Sequence, residues 1–202
     1  MGRRRGQLAF KFRSWGGKRR HAGRKAKGDR AGVRHGKRPN LSKHHPVHVT
    51  WRVRPEIWNL RGPKCFAAIA RSFARGCDRR GFRLVHFSVQ GNHMHLIVEA
   101  PDQVRLSRGL QGLAVRIARG VNRVMQRTGR VFADRYHEHV LRTAAEVANA
   151  VAYVLGNFTR HALRRGARIV ESVIDPCSSG AQKNRVLVRT PLTWLLERFG
   201  SS

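Results

Sequence analysis

Two histidines separated by one apolar residue open the run Gly91-Asn92-His93-Met94-His95-Leu96-Ile97-Val98. Because side chains alternate between the two faces of a β-strand, His93 and His95 are expected on one face and Met94 on the other. Two imidazoles on a rigid strand are the beginning of a divalent metal site. A chance pairing is the alternative, since the chain has 11 histidines and a second such pair in His137-Glu138-His139.

A second group of residues with chemical potential is Tyr153 and Asn157, which are four residues apart and so share one face of a predicted helix. A tyrosine hydroxyl can attack a phosphodiester and form a covalent phosphotyrosyl link. Free phenol has a pKa of ~10, so it needs a cation that withdraws charge from the phosphate. The Asn157 side chain offers an oxygen as third ligand for Mg²⁺ or Mn²⁺. The alternatives are an aromatic at the edge of a core and a polar residue near a helix end.

Apolar patterning predicts the elements that must position these residues. Alternation predicts strands at 48–54, 82–89, from His93 onward and at 139–142, and helical spacing predicts helices at 63–80, from Pro101 to Gly129, and from Ala144. Thr143-Ala144-Ala145-Glu146 has the spacing of a capping box at the start of the last helix. The order β-α-β-β-α-β matches the ferredoxin-like, split βαβ plan. We therefore expect an α+β fold, an antiparallel sheet with helices on one face, plus a C-terminal helix that bears Tyr153.

The chain divides by composition into three parts. Residues 1–45 are basic and rich in glycine without apolar periodicity, which predicts an arm that is disordered when free. Residues 46–170 carry the predicted elements and the candidate site. Residues 171–202 form a tail of unassigned role, with a short strand predicted at 186–188 and a short helix at 191–199.

Charge indicates the class of partner. The 42 lysines and arginines against 11 acids give a formal net charge of +31, which points to a polyanion, nucleic acid before an anionic membrane surface. The candidate DNA-binding residues lie in the arm and on the polar side of the long helix, where a merely solvated face is the alternative; they are Arg24, Lys25, Arg105, Arg108, Arg116, Arg119 and Arg123.

Location and redox state follow from what the sequence contains. No apolar run approaches the ~20 residues of a membrane span, and the start has no apolar signal-peptide core, so we expect a cytoplasmic protein. An organelle transit peptide is the alternative for the arginine-rich start. The cysteines Cys65, Cys77 and Cys177 form no C-x-x-C pair, so neither a disulfide framework nor a structural zinc site is expected.

The motifs resemble a known family. Asn92-His93-Met94-His95-Leu96 resembles the Asn-His-U-His signature of the HUH single-strand transposases, in which U is a bulky apolar residue. The run Tyr153-Val154-Leu155-Gly156-Asn157-Phe158-Thr159-Arg160-His161 resembles the tyrosine helix of the transposases associated with repetitive extragenic palindromes, Tyr-Ile-x-x-Asn-Pro-Val-Arg/Lys. The segment 135–142 resembles the short strand before that helix. The resemblance spans about residues 46–170.

The resemblance implies a role for each matched residue. His93 and His95 would be metal ligands, Asn157 the third ligand, and Tyr153 the nucleophile. It further implies attack on single-stranded DNA near a hairpin, a 5′-phosphotyrosine intermediate, and a released 3′-hydroxyl that can rejoin without an external energy source.

Two positions depart from the family pattern. Gly91 stands where the family often has proline, and this change affects only the turn. Phe158 replaces the usual proline after the asparagine, and this change affects the placement of Asn157, the expected third ligand. Two other functions remain open, a non-catalytic nucleic-acid-binding protein and an inactivated transposase that retains binding. The expected partner is single-stranded or hairpin DNA, with no membrane and no small-molecule substrate, and the protein is expected to act as a monomer or homodimer.

Overall fold

A computed structural model describes residue 38 and residues 40–57, 59–79, 81–164 and 174–200. The arm residues Arg24 and Lys25 lie outside the described residues. The described part contains an antiparallel sheet with the strand order β2-β3-β4-β1-β5. Its strands are β1 (Val47–Arg52), β2 (Asp78–Arg79), β3 (Phe82–Val89), β4 (His93–Glu99) and β5 (His137–Val140). Without the two-residue β2, this is the ferredoxin-like order, which confirms the predicted α+β fold class.

Four α-helices and one 3-10 helix accompany the sheet in the described residues. They are α1 (Pro63–Gly76), α2 (Gln103–Val124), α3 (Ala144–Arg164), the 3-10 helix Gln182–Leu187 and α4 (Trp194–Phe199). Helix α2 begins where the Asp102 side chain accepts a hydrogen bond from the backbone N–H of Arg105. Helix α3 begins at the predicted capping box, because Thr143 Oγ1 accepts from the N–H of Glu146 while the Glu146 carboxylate accepts from the N–H of Thr143.

Each face of the sheet is covered by a different pair of helices. The strand residues Val49, Leu96 and Phe87 belong to the larger core, which they share with the apolar stripes of α1 and α2. The opposite face contributes Val85 and Ile97 to a smaller core, which is completed by residues of α3 and α4: Val147, Val151, Val154 and Leu196. The tyrosine-bearing helix therefore lies across the sheet from the first two helices.

Several predicted element boundaries differ from the structure. The helix predicted from Pro101 to Gly129 spans Gln103–Val124, and the strand predicted at 139–142 is β5, His137–Val140. The helix predicted over 63–80 ends at Gly76, and the chain turns through Gly81, whose φ of +87° favours glycine, into β3. The strand predicted at 186–188 is instead the end of the 3-10 helix. The backbone there is satisfied locally, since Val188 N–H donates to Arg185 O, and only Arg189, the residue that follows, reaches the sheet by donating its N–H to Leu84 O of β3.

Ordered contacts reach N-terminal of residue 45. The Arg38 guanidinium stacks 3.8 Å above the Tyr136 ring and forms a 2.7 Å ion pair with Glu138. Leu41 is buried in the larger core. Glu138, the middle residue of His137-Glu138-His139, pairs with Val49 in the register of β1 and accepts a hydrogen bond from Gln103 of α2, so it faces the α1 and α2 side. Contacts with the folded part of the chain therefore extend at least as far toward the N-terminus as residue 38, beyond the boundary predicted at residue 45.

No helix in the described ranges combines the length and the apolar character that crossing a membrane requires.

Candidate active site

The paired histidines stand on the sheet face that α3 covers. On β4, Met94 is fully buried in the larger core, so alternation turns His93 and His95 to the other side. The two imidazole centroids are 4.9 Å apart, and the rings are nearly perpendicular at 88°. This is the arrangement that the His-x-His spacing predicts for a strand.

The neighbouring strand β1 fixes the orientation of His95. Thr50 pairs directly with His95 in the sheet register, and its Oγ1 lies 3.1 Å from His95 Nδ1. His48 Nε2 also lies 3.1 Å from that nitrogen. With Nδ1 engaged by His48 and Thr50, a metal would bind His95 through Nε2, because outer partners of this kind usually fix the ring of a metal-ligating histidine.

His93 is oriented in the same way by its own turn. Its Nδ1 lies 2.8 Å from Oδ1 of Asn92, the residue that precedes it. Asn92 is thus more than a turn residue of the motif, because it sets the orientation of the first imidazole.

Helix α3 brings Tyr153 to the paired histidines. The phenol ring centroid is 5.1 Å from that of His95, edge to face at 83°, and 6.0 Å from that of His48. Tyr153 is half-buried, with the apolar stripe of α3 holding the helix against the sheet. The nucleophile candidate and the histidine pair therefore share one surface, although they are about 60 residues apart in sequence.

Asn157 lies one turn further along α3 and is only 1% exposed. Its Nδ2 atom is buried and has no hydrogen-bond partner among the described residues. Because a half-turn of the amide exchanges Nδ2 and Oδ1, that buried position can equally present an oxygen. An orphaned amide of this kind fits a ligand that the polypeptide itself does not supply.

A metal site here would depend on that amide. Within the residues that the structure describes, no three His, Cys, Asp or Glu side chains are placed together to hold a metal ion. Two imidazoles together with the Asn157 amide would make a mixed nitrogen and oxygen donor set, which is compatible with a divalent cation that keeps several waters. The residues present fit the implied cation.

An open cleft of about 500 Å³ adjoins the tyrosine on the side of β5, and its lining includes His48, His139, Glu146, Tyr153 and Arg160. Burial, followed by the imidazoles of His139 and His137, lowers the pKa of His48 to about 4, so its ring is neutral near pH 7. The Arg160 guanidinium lies 5.9 Å from the centre of the Tyr153 ring and supplies a positive charge beside the cleft.

Sequence reasoning missed His48, Thr50 and Arg160 as site residues. The first two alternate with the buried residues of β1, and Arg160 belongs to the tyrosine-helix motif, so a signal was present for each. It was incomplete, because the pairing of β1 with β4 is a tertiary contact.

The other tyrosine lies away from the site. Tyr136 Oη is 3.2 Å from Ser107 Oγ of α2, and its ring is covered by Arg38. Tyr136 packs against the larger core, on the other side of the sheet from His95.

The arginines of α2 also lie on the far side of the sheet. A groove of about 320 Å³ between the end of α1 and α2 is lined by four arginines and three glycines, with no acid: Gly76, Arg79, Arg105, Arg108, Gly109, Gly112 and Arg116. Arg119 and Arg123 are exposed further along α2. The sequence pattern indicated the α2 arginines as candidate DNA-binding residues. It did not indicate Arg79, which reaches the groove from β2.

Comparison with known proteins places these features in a family context. The model of the family described as transposase IS200 like matches residues 42–157, which include both histidines, Tyr153 and Asn157. No curated protein matches the chain.

The chain also matches solved structures, two of which are described as transposases. One is the structure of a REP-associated tyrosine transposase bound to a REP hairpin, with a TM-score of 0.56 and 18% identity over 73% of this chain and 82% of that chain. The other is a crystal structure of a candidate transposase from Deinococcus radiodurans, with a TM-score of 0.41 and 13% identity over 67% of this chain and 98% of that chain. At 18% identity the first likeness concerns the fold alone.

Proposed function

The chain belongs to the IS200-like transposase family, and from that premise we propose that it nicks and rejoins single-stranded DNA near hairpins through Tyr153. The observation that supports this most directly is the contact of the phenol with His95, a 5.1 Å approach between two elements that are distant in sequence. The solved REP-associated transposase was captured with a REP hairpin, and we extend that class of substrate to this chain.

The proposed reaction is a transesterification. The Tyr153 hydroxyl oxygen attacks the scissile phosphorus, a new bond joins that oxygen to the 5′-phosphate, and the bond to the 3′-oxygen breaks. The phenolic proton leaves the tyrosine, and the departing strand ends in a 3′-hydroxyl. Because one phosphodiester replaces another, a 3′-hydroxyl can later reverse the step and join the strands without an energy source.

The chain's own residues would hold a divalent cation, Mg²⁺ or Mn²⁺, beside the nucleophile. His93 and His95 would bind it through Nε2, and Asn157 through its amide oxygen. The ion would supply charge withdrawal from the scissile phosphate. Asn92, His48 and Thr50 hold the two imidazoles in orientation for this task.

Positive side chains would neutralise the DNA backbone at a distance from the reacting atoms. Arg160 is placed beside the cleft next to Tyr153. On the other side of the sheet, the groove of α2 presents guanidinium groups, which suit phosphate oxygens. We propose that this groove, the exposed Arg119 and Arg123, and the arm residues Arg24 and Lys25 contact the DNA beyond the cleavage site.

Denaturation-resistant adduct formation tests the proposal. A single-stranded oligonucleotide that carries a hairpin is incubated with the protein and Mn²⁺, and the products are separated under denaturing conditions. We expect a covalent protein–DNA species that Tyr153→Phe abolishes, while hairpin affinity in a binding titration stays within about twofold.

Tyr136→Phe is the matched control, and it should form the adduct normally. An adduct that persists in Tyr153→Phe would move the nucleophile elsewhere. Absence of any adduct from the wild-type chain, with hairpin binding retained, would favour the non-catalytic or inactivated protein. His93→Ala should reduce Mn²⁺ affinity and cleavage together.

A further inference from the structure

The loop between β1 and α1 contacts the turn that precedes the histidine strand. Val53 N–H donates to the carbonyl of Asn92 over 3.0 Å, and Leu60 N–H donates to Gly91 O over 2.9 Å. The backbone that leads into His93 is therefore held by this loop.

Arg61 extends the same loop toward the tyrosine helix. One guanidinium nitrogen donates to Val89 O over 2.8 Å, at the end of β3. The guanidinium carbon lies 4.2 Å from the ring centroid of Phe158, which directly follows Asn157. A cation over an aromatic face at this distance is attractive, and more so when partly desolvated.

Asp175, in the C-terminal segment 174–200, holds Arg61 in place. Asp175 accepts two hydrogen bonds from the guanidinium, at 2.7 and 3.1 Å, and its side chain is 1% exposed. The same carboxylate accepts from Cys177 N–H at 2.9 Å and from Ser88 Oγ at 3.3 Å. A largely buried bidentate ion pair, whose carboxylate oxygens also accept further hydrogen bonds, has little freedom to rotate.

These contacts join the two halves of the site. Among the α3 side chains that the structure describes, up to residue 160, the last fully buried apolar one is Val154, one turn before Asn157 and Phe158. Beyond that point, Arg61 connects α3 to β3 and, through its own loop, to the turn before His93. We propose that Arg61 is a positioning residue, held by Asp175, that sets the spacing between the histidine strand and the Asn157 turn of α3.

This assigns a role to the C-terminal segment and to the family departure at Phe158. A proline after the asparagine would offer no aromatic face, whereas Phe158 gives the guanidinium a surface to stack on. The inference rests on the proposed function, because spacing matters only if the two halves share a cation.

The test uses Phe158→Leu and Asp175→Asn in the full chain. Phe158→Leu keeps an apolar side chain but removes the stacking face, and Asp175→Asn removes the charge that orients Arg61. The control is Glu56→Gln, which breaks an exposed ion pair with Arg54 in the same loop. Arg61→Lys, which retains charge without the planar fork, should behave like Phe158→Leu.

The first readout is the Mn²⁺ concentration that gives half-maximal adduct. We expect both variants to need about tenfold more Mn²⁺, which is the size of effect seen when outer partners of metal ligands are lost. Hairpin affinity should be unchanged, and Glu56→Gln should match the wild type. A structural role alone would lower the melting temperature and leave the Mn²⁺ requirement of the folded protein unchanged, which would overturn the proposal.

The second readout does not depend on activity. Amide hydrogen exchange in 154–160 should accelerate in Phe158→Leu and Asp175→Asn but not in Glu56→Gln. Wild-type exchange in both variants would refute the positioning role even if adducts form. If the wild type forms no Tyr153 adduct, the proposed function fails, and the exchange result still decides whether Arg61 holds α3.

Discussion

His95 illustrates which features of the site the sequence could predict and which depend on contacts between strands. Spacing alone predicted the histidine pair and the Tyr153–Asn157 pair, because each lies within one regular element whose period is known. Spacing could not show that His48 and Thr50 converge on one nitrogen of His95. That convergence needs the register of β1 against β4, in which Thr50 and His95 are direct partners.

Removing the partners of His95 Nδ1 should weaken metal binding at the site. We expect His48→Leu and Thr50→Val each to lower Mn²⁺ affinity, by roughly 10–100-fold for the double variant, since the ring loses the contacts that orient it. Titration calorimetry with Mn²⁺ measures this. His44→Leu, at an exposed histidine of the preceding segment, is the control. Unchanged affinity in the double variant would show that His95 keeps its orientation without β1.

At the scale of elements, the regular core was predictable and the C-terminal segment was not. Helices and strands with clear apolar periodicity appear where expected, with ends shifted by a few residues. The segment 177–179 pairs with β3, and its sequence Cys177-Ser178-Ser179 has no alternation to indicate this. Likewise, Glu99 accepts hydrogen bonds from the backbone N–H groups of Leu192 and Thr193, a contact across 93 residues or more that no local pattern encodes.

The approach of α2 to β3 depends on a missing side chain. A Cβ at Gly109 would lie 2.1 Å from the Phe82 ring, which is itself buried. We expect Gly109→Ala to lower the free energy of unfolding by about 1–3 kcal/mol through overpacking. Denaturant unfolding followed by circular dichroism measures it.

A second helical glycine provides the matched control. At Gly156 in α3, an added Cβ meets no described atom within 4 Å. There, Gly156→Ala should raise the free energy of unfolding by about 0.5–1 kcal/mol, because alanine is the better helix former. Equal effects of the two substitutions would contradict the packing argument.

For the molecule as a whole, the arginine groove and Tyr153 lie on opposite sides of the sheet. The arginine groove lies with α1 and α2, whereas Tyr153 lies with α3, so a DNA that contacted both would have to extend around the sheet. The net charge of +31 indicated a polyanionic partner from composition alone. Composition could not show which arginines gather into a groove, since Arg79 and Arg108 come from different elements.

The groove should contribute to the salt dependence of hairpin binding. We expect Arg79→Gln with Arg108→Gln to reduce the slope of log affinity against log salt by about 0.9 per lost phosphate contact. Fluorescence anisotropy over a range of NaCl concentrations measures the slope. Arg185→Gln, an exposed arginine of the 3-10 helix, is the control for charge alone.

Adduct formation on a short oligonucleotide without a stem distinguishes the two sites. It should be the same in the groove variant and the wild type, because such a substrate reaches Tyr153 but not the far side of the sheet. A slope change in Arg185→Gln that is equal per removed charge would mean that the groove acts only through overall charge.

The pairing of 177–179 with β3 also bears on self-association. Those residues satisfy backbone groups of Phe87 and Val89 at the edge of β3, beyond its pairing with β2, while the opposite edge strand, β5, has only four residues. Unpaired borders are where chains of the same kind add to one another and aggregate. Residues 177–179 therefore cover the edge of β3. Their loss would expose backbone hydrogen-bonding groups through which copies of this arginine-rich chain could associate.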